Sequence, residues 1–367
     1  MIIALLIGLL SMLCSYMEGK GILKNGLKMA FGIITVYLAI RYDFGNDYLR
    51  YLDGFYAYQE YHGSIFDIDK LRELHGHGDY GWVFINILFS PFSFFIMIIV
   101  LTIFENWVIY DFVKTYVPTK WYPFALFIYV FNPYIMLVGC SMMRQWLAIC
   151  IFIFAFRFIR DRKPIQYYIC IVIAISMHGS AFILLPFYFI SYLRNISLSF
   201  KSLIWFVPLL VGWFLVAPEL FAENLKWILS GDEMDKFSMY TDKSGEVYGI
   251  IGVITAFLFP LICISQTNKF VPTQRLLIII FFFSIFIRPF GLVIGMILRL
   301  GFYFVVFSIV VFPMVMEKIQ KMRKELVIIF LIIIVIPTLR DFFAFFYSEV
   351  WREHFMHYQT IFSVPWQ

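Results

Sequence analysis

Charged residues are scarce in this sequence of 367 amino acids. Asp, Glu, Lys and Arg supply 14% of it, whereas hydrophobic residues supply 62% and the mean hydropathy is +0.84. Soluble domains carry about 25% charged residues, so this composition excludes an ordinary globular protein. The sequence predicts an all-α, polytopic integral membrane protein that forms a single domain over residues 1–367.

Several other features are absent or too rare to carry a function. Four of the five cysteines lie inside apolar runs, which argues against a disulfide framework. No Walker loop, dinucleotide fingerprint or soluble catalytic domain appears. His75 and His77 share a glycine-rich loop without a further ligand at a fixed spacing, so we predict no metal and no other cofactor. The net charge of +5 is explained by basic cytoplasmic loops and requires no nucleic-acid partner.

Long apolar runs dominate the chain. The first of them lacks the flanks of a cleaved signal peptide and is predicted to be a membrane span. In total we predict about 12 transmembrane helices from runs able to cross roughly 30 Å of hydrocarbon, at residues 2–17, 27–40, 92–114, 122–139, 144–160, 164–178, 180–194, 201–217, 247–265, 275–290, 296–316 and 325–340.

The orientation of these spans follows from the basic loops between them. If the spans alternate, the short loops rich in Lys and Arg all face one side, which the positive-inside rule identifies as the cytoplasm. The opposite, outer face then carries two loops, 41–81 and 218–246, and a tail, 341–367. Within the first outer loop we predict interfacial helices over the tyrosine-rich segment 47–61 and over 82–90.

Arginines gather at the predicted outer ends of the spans, against the usual charge bias. Guanidinium groups bind phosphate oxygens through paired donors and stay charged when partly buried, which suits a pyrophosphate with a lipid tail in the bilayer. We therefore predict a lipid-pyrophosphate site. Its predicted binding residues, including a neighbouring amide and two tyrosines of the outer loop, are Arg41, Arg144, Gln145, Arg288, Arg299, Tyr48 and Tyr51.

Four short motifs and the tail resemble a known family in order along the chain. The tail is His357-Tyr-Gln-Thr-Ile-Phe, and the motifs are Arg41-x-x-x-Gly45-x-Asp47-Tyr48-x-x-Tyr51, Gly78-Asp-Tyr-Gly-Trp-Val-Phe, Ser141-Met-Met-Arg-Gln-Trp-Leu-Ala148 and His178-Gly-Ser-Ala181. Together they resemble the EpsG family of bacterial exopolysaccharide and capsule clusters, related in role to the Wzy O-antigen polymerases. Members commonly carry Glu-Pro-Gly-Phe where this chain has Asp79-Tyr-Gly-Trp82, so no role is assigned to Asp79.

The resemblance implies polymerisation of lipid-linked repeat units on the outer face of the bacterial cytoplasmic membrane. The expected fold is GT-C-like, with interfacial helices on that face. The expected partners are membrane lipid and an oligosaccharide linked to undecaprenyl pyrophosphate, and a chain-length regulator is a further candidate partner.

The chemistry of such a transfer requires a stabilised leaving group and a base. Arginines would stabilise the departing pyrophosphate, so no metal or nucleotide is needed. The candidate bases for the acceptor hydroxyl are Asp47, Asp43 and His178. We favour Asp47 because the resemblance places it, together with Gly45, in the family pattern.

Three other functions remain as alternatives. A lipid-linked oligosaccharide flippase or transporter would place polar residues near the bilayer midplane, whereas the charges here gather at one boundary. An acyltransferase would take its acyl donor from the cytoplasm, whereas all six histidines fall outside in this topology. Another GT-C-like glycosyltransferase or a ligase is closer in chemistry, and it would make single additions where a polymerase makes a ladder.

Overall fold

The computed structural model describes residues 1–61, 63–64, 66–74, 79–196, 261–287, 290 and 297–363, with scattered positions between 205 and 220. The chain divides into two compact units. The first comprises Met1–Tyr188 and Thr338–Gln367, and the second comprises Phe189–Pro337. The predicted outer loop 218–246 and the predicted spans 201–217 and 247–265 lie almost entirely outside the described residues.

The first unit is built from helices. Among its described residues, ten α-helices and the short 3-10 helix Thr119–Trp121 precede the 3-10 segment Gly179–Asn195, which continues into the second unit. The α-helices are α1 (Ile2–Gly19), α2 (Gly26–Ala39), α3 (Tyr48–Gln59), α4 (Ile68–Leu74), α5 (Tyr80–Phe89), α6 (Phe94–Tyr116), α7 (Tyr122–Phe131), α8 (Met136–Ser141), α9 (Met143–Arg160) and α10 (Pro164–Met177).

Local sequence sets several of these boundaries. Ser93 caps α6 by accepting a hydrogen bond from the backbone N–H of Ile96. Pro123 and Pro164 stand in the first turns of α7 and α10, where a missing backbone donor costs nothing. Within the segments 47–61 and 82–90 the structure has the helices α3 and α5, and their interfacial placement stays a prediction.

The second unit also consists of helices where the structure describes it. Its helices include the 3-10 turn Thr267–Lys269 and the α-helices Pro272–Phe282, Ser284–Ile287, Leu298–Val305 and Ser308–Met322. The helix Lys324–Tyr347 follows, with its residues from Thr338 onward in the first unit, and Glu349–Phe355 completes the helices of the tail.

The prediction of an all-α protein with several apolar helices is confirmed. Within the described ranges, α1, α6 and Lys324–Tyr347 are long and apolar enough to cross a membrane. The pair Leu298–Val305 and Ser308–Met322, bent by 48°, would make a fourth span. Shorter apolar helices such as α2, α5 and α10 accompany them. The count of about 12 spans and the GT-C-like arrangement stay predictions.

Three predicted spans differ in the structure. The run 122–139 is broken between α7 and α8 because Asn132-Pro133 cannot continue a regular helix. The run 180–194 forms a 3-10 segment, and 296–316 is the bent helix pair.

The helix that begins at Lys324 continues through residue 340 and ends only at Tyr347, while the predicted outer tail 341–367 stays a prediction. Arg340 and Asp341 form an ion pair with each other, with 2.7 Å between Nη2 and Oδ1.

The tail and the segment after α2 are joined by a two-stranded antiparallel sheet. Strand β1 (Arg41–Tyr42) pairs with β2 (Gln359–Thr360), so that Arg41 lies opposite Thr360. The backbone N–H of Ile361 also donates to the carbonyl of Ile40, at 2.9 Å. The tail therefore holds the segment that leads from α2 to α3.

Candidate functional site

Asp79 is the centre of a polar cluster in the first unit. Its Oδ2 lies 3.3 Å from Nη1 of Arg144 and 3.3 Å from Nδ1 of His178, and its Oδ1 accepts a hydrogen bond of 3.2 Å from the backbone N–H of Gly179. The three side chains are between 22% and 29% exposed, so they are partly shielded and partly accessible. One carboxylate thus binds two side chains that sequence analysis had proposed separately.

Close packing between α5 and α10 explains why Asp79 reaches His178. Asp79 precedes the first residue of α5, and His178 follows the last residue of α10 in an extended conformation. A Cβ placed on Gly81 would lie 2.5 Å from Oγ of Ser176. Only glycine allows the first turn of α5 to approach the end of α10 this closely.

Aromatic side chains pack against one side of Arg144. Its guanidinium carbon lies 5.9 Å from the ring centroid of Tyr51, and the ring of Tyr51 contacts that of Trp82 edge-on at 5.1 Å. Both rings are buried in a hydrophobic cluster contributed by α3, α5, α6 and α9. These rings hold the guanidinium in place by packing and by cation–π attraction.

The surroundings of Tyr51 shift the pKa of its phenol. Burial raises the pKa of Tyr51, and the charge of Arg144 together with a hydrogen bond from it opposes that rise. The charge of Asp47 raises the same pKa further. Tyr51 therefore remains a neutral hydrogen-bonding group at physiological pH and lies within electrostatic range of both residues.

Asp47 stands one helical turn before Tyr51, at the N-cap of α3. Its backbone N–H donates to Oγ of Ser141 at 3.4 Å, and its side chain makes no capping hydrogen bond. Asp43 lies in the turn between β1 and α3 with φ +44, a left-handed conformation that is uncommon for a residue other than glycine. Asp47 thus lies one helical turn from Tyr51, whose ring contacts the guanidinium of Arg144.

Arg41 and Tyr48 occupy a different, buried position. Arg41 is 3% exposed and donates through Nη1 to Oγ1 of Thr102 at 3.2 Å and to the carbonyl of Leu38, and through Nη2 to the carbonyl of Cys140 at 3.3 Å. Tyr48 is fully buried, and its hydroxyl donates to the carbonyl of Arg41 at 3.0 Å. These contacts join α2, α6 and α8.

The remaining predicted residues are distributed elsewhere. Gln145 is buried beside Arg144, with 3% of its surface exposed. Arg299 belongs to the second unit, and Arg288 lies outside the described residues. His75 and His77 lie outside them as well. In the part of the chain that the structure describes, no three His, Cys, Asp or Glu residues are placed to hold a metal ion.

Asp79 is the residue that sequence reasoning missed. Tyr51, Arg144 and His178 had been proposed from three separate motifs, and the structure brings them together around it. The available signal was its place in Gly78-Asp-Tyr-Gly, where the related pattern also carries a carboxylate.

These features define a class of protein: a helical membrane protein in which a carboxylate, a guanidinium and an imidazole meet at the ends of apolar helices. The chain belongs to the EpsG family, whose model matches residues 27–360. This family is associated with Wzy-like, glycosyltransferase-like polymerases. No curated protein gives a significant match to the chain. No solved structure does so either.

Proposed function

We propose that the protein is a polysaccharide polymerase that extends a surface glycan. It would transfer a growing chain from undecaprenyl pyrophosphate to a sugar hydroxyl of an incoming lipid-linked repeat unit. The observation that carries this proposal is the cluster of Arg144, Asp79 and His178 in a chain of the EpsG family. A phosphate-binding cation and groups able to move a proton are the two parts that the reaction needs.

Arg144 is the proposed contact for the donor pyrophosphate. Its side chain is partly exposed and is aimed by Asp79 and by the ring of Tyr51, so little entropy is lost when phosphate oxygens replace water. Arg288 and Arg299 are proposed as further contacts to the lipid-linked substrate. The proposed bases for the acceptor hydroxyl are Asp47, Asp43 and His178.

The proposed location is the outer face of the bacterial cytoplasmic membrane. The excess of basic residues in the short loops of the opposite face supports this orientation. In this setting membrane lipid surrounds the helices. The exposed apolar face of α1, which includes Ile2, Leu6, Leu9 and Leu13, suits that contact.

Deletion of the gene that encodes the protein tests the proposed polymerisation. Gel analysis of the surface polysaccharide should show a ladder that collapses to a single repeat unit. Chains of unchanged length with lost export would instead support the flippase alternative, and the same single unit in both strains would support a ligase or another glycosyltransferase.

Arg144 provides the finer test, with Arg157 as its control. Arg157 also pairs with an aspartate, its Nη2 lying 3.2 Å from Oδ2 of Asp111, but it belongs to the other end of α9. Arg144→Ala should abolish chain extension at normal expression, and Arg144→Lys should restore little because lysine lacks the planar fork. Arg157→Ala should keep the ladder. Full extension by Arg144→Ala would remove Arg144 from the proposed site.

A further inference from the structure

The pairing of Asp79 with His178 determines which ring nitrogen of the histidine is available to accept a proton. An ionised carboxylate only accepts hydrogen bonds, so Nδ1 at 3.3 Å from Oδ2 carries the hydrogen in this contact. In the neutral ring, the lone pair then lies on Nε2. A carboxylate that holds a histidine by Nδ1 orients the ring and stabilises the charge that the ring acquires when Nε2 takes a proton.

Asp79 is itself held from several directions. Gly179 donates its backbone N–H to Oδ1, while Arg144 and His178 share Oδ2. The base of the cluster is packed by Trp82, which is fully buried. The carboxylate therefore has little freedom to turn, and the distance between the imidazole and the guanidinium is set by a single oxygen atom between them.

We propose that His178 is the catalytic base of the polymerisation and that Asp79 is the residue that positions it, an assignment that rests on the proposed function. Nε2 of His178 takes the proton of the acceptor hydroxyl as that oxygen bonds to the anomeric carbon of the donor sugar. The bond from that carbon to the pyrophosphate oxygen breaks, and its electron pair leaves with the lipid pyrophosphate beside Arg144. The proton on the ring then passes to the departing pyrophosphate or to water.

This assignment changes the expected role of Asp47. Its carboxylate makes no capping hydrogen bond, and the residue lies one helical turn from Tyr51, which suits a contact with the acceptor sugar. Three donors already hold the two oxygens of Asp79, which favours a positioning role for this carboxylate over direct proton transfer. Through the same oxygen, Asp79 aligns the base and the phosphate-binding cation with each other.

The test uses the purified full chain in lipid nanodiscs. The substrate is the pool of lipid-linked repeat units extracted from cells that lack the protein, and added undecaprenyl pyrophosphate serves as the probe for the donor site. Asp79→Asn retains an oxygen for the N–H of Gly179, and Asp111→Asn removes the comparable aspartate at the other end of α9. Size-exclusion profiles and unfolding midpoints confirm that each variant is folded.

His178→Ala and Asp79→Asn should each lower kcat by about 100-fold or more, while KM and inhibition by undecaprenyl pyrophosphate change only a few-fold. Asp79→Asn in the His178→Ala background should lower kcat by no more than about twofold further, because the two residues act as a unit.

Three other variants serve as comparisons. Asp79→Glu should keep more activity than Asp79→Asn, and Asp47→Asn should lose less activity than His178→Ala. The control Asp111→Asn should match the wild type.

Specific results would overturn the assignment. Equal losses from Asp79→Asn with and without His178 would make Asp79 a structural residue, and a dead Asp47→Asn beside an active His178→Ala would move the base to Asp47. If Asp79→Asn does not fold, His178→Gln carries the test, since its amide keeps a donor for Asp79 but cannot act as a base. A wild-type protein that forms no ladder would reject the proposed function itself, whereas an active wild type with active variants would reject only this inference.

Discussion

The ring of Tyr358 stacks on the ring of Tyr37, with centroids 4.6 Å apart and an angle of 22° between the planes. The Tyr358 hydroxyl also donates to the carbonyl of Tyr37, although the two residues are 321 positions apart in the chain. Together with the pairing of β1 and β2, this contact fixes the tail against the segment that leads to Asp47. The tail is therefore part of the support for the candidate site.

Tyr358→Ala tests this support. Loss of the stacked ring and its hydrogen bond should cost about 1–3 kcal/mol and increase protease sensitivity near β1. Phe362 is the matched control, because it lies in the same tail with 70% of its surface exposed. Phe362→Ala should leave both the unfolding midpoint and the cleavage pattern unchanged. Equal behaviour of the two variants would show that the tail does not hold this segment.

Gly45 should be intolerant of any side chain. Its φ of +122 is unfavourable for other residues, and an added Cβ would lie 3.0 Å from Cα and Cβ of Ser141. Gly45→Ala should cost about 1–3 kcal/mol and shorten the polysaccharide ladder, because Asp47 would be displaced. Gly21→Ala controls for backbone strain alone, since Gly21 has φ +73 and open space around it. A neutral Gly45→Ala would contradict this packing.

Arg41 is expected to behave as an anchor of the fold. Its buried donors serve Thr102 and Cys140, and Glu105 of α6 lies within its electrostatic range. Arg41→Ala should therefore cost about 3–5 kcal/mol through unpaired buried groups. The measurement is the unfolding midpoint in detergent, with the exposed residue Arg50 replaced by alanine as the control.

A second arm of this test also removes the ionisable side chain of Glu105. Arg41→Met combined with Glu105→Gln should regain part of the lost stability, because no ionisable side chain then stands in this buried region. A stable Arg41→Ala protein that no longer extends chains would instead favour the predicted role of Arg41 as a pyrophosphate ligand.

The predicted topology can be tested with single cysteines at exposed positions. Phe66→Cys and Phe362→Cys should react with a membrane-impermeant maleimide on intact cells, whereas Met322→Cys should react only after permeabilisation. The native side chains at these positions are 84%, 70% and 53% exposed, so access depends on the side of the membrane. Labelling at position 322 from outside would reverse the proposed orientation.

The sequence was informative where a feature is local. The tyrosine-rich segment 47–61 has polar residues at both ends, and the structure shows the helix Tyr48–Gln59 within it. The run 122–139 misled because hydropathy counts apolar residues but does not register how Pro133 interrupts a helix. Composition was enough to identify a membrane protein, since the surplus of apolar residues exceeds what one soluble core can bury.

Contacts between residues that are far apart in the chain left no comparable signal in the sequence. Asp79 is separated by 65 positions from Arg144 and by 99 from His178, and nothing in a single sequence indicates which distant side chains will meet. The burial of Arg41 was equally hidden, because two of its acceptors are backbone carbonyls, which every residue possesses. The chemical types of the site residues could thus be predicted, whereas the grouping around Asp79 required the fold.

The connection between β1 and β2 also has a consequence for biosynthesis. Residues 354–361, which hold the segment between α2 and α3, are translated after the whole of Phe189–Pro337. The residues of the second unit must therefore be synthesised before the first unit can acquire its final contacts. Because distant pairings of this kind form slowly, the segment that contains Asp47 acquires its final support late in folding.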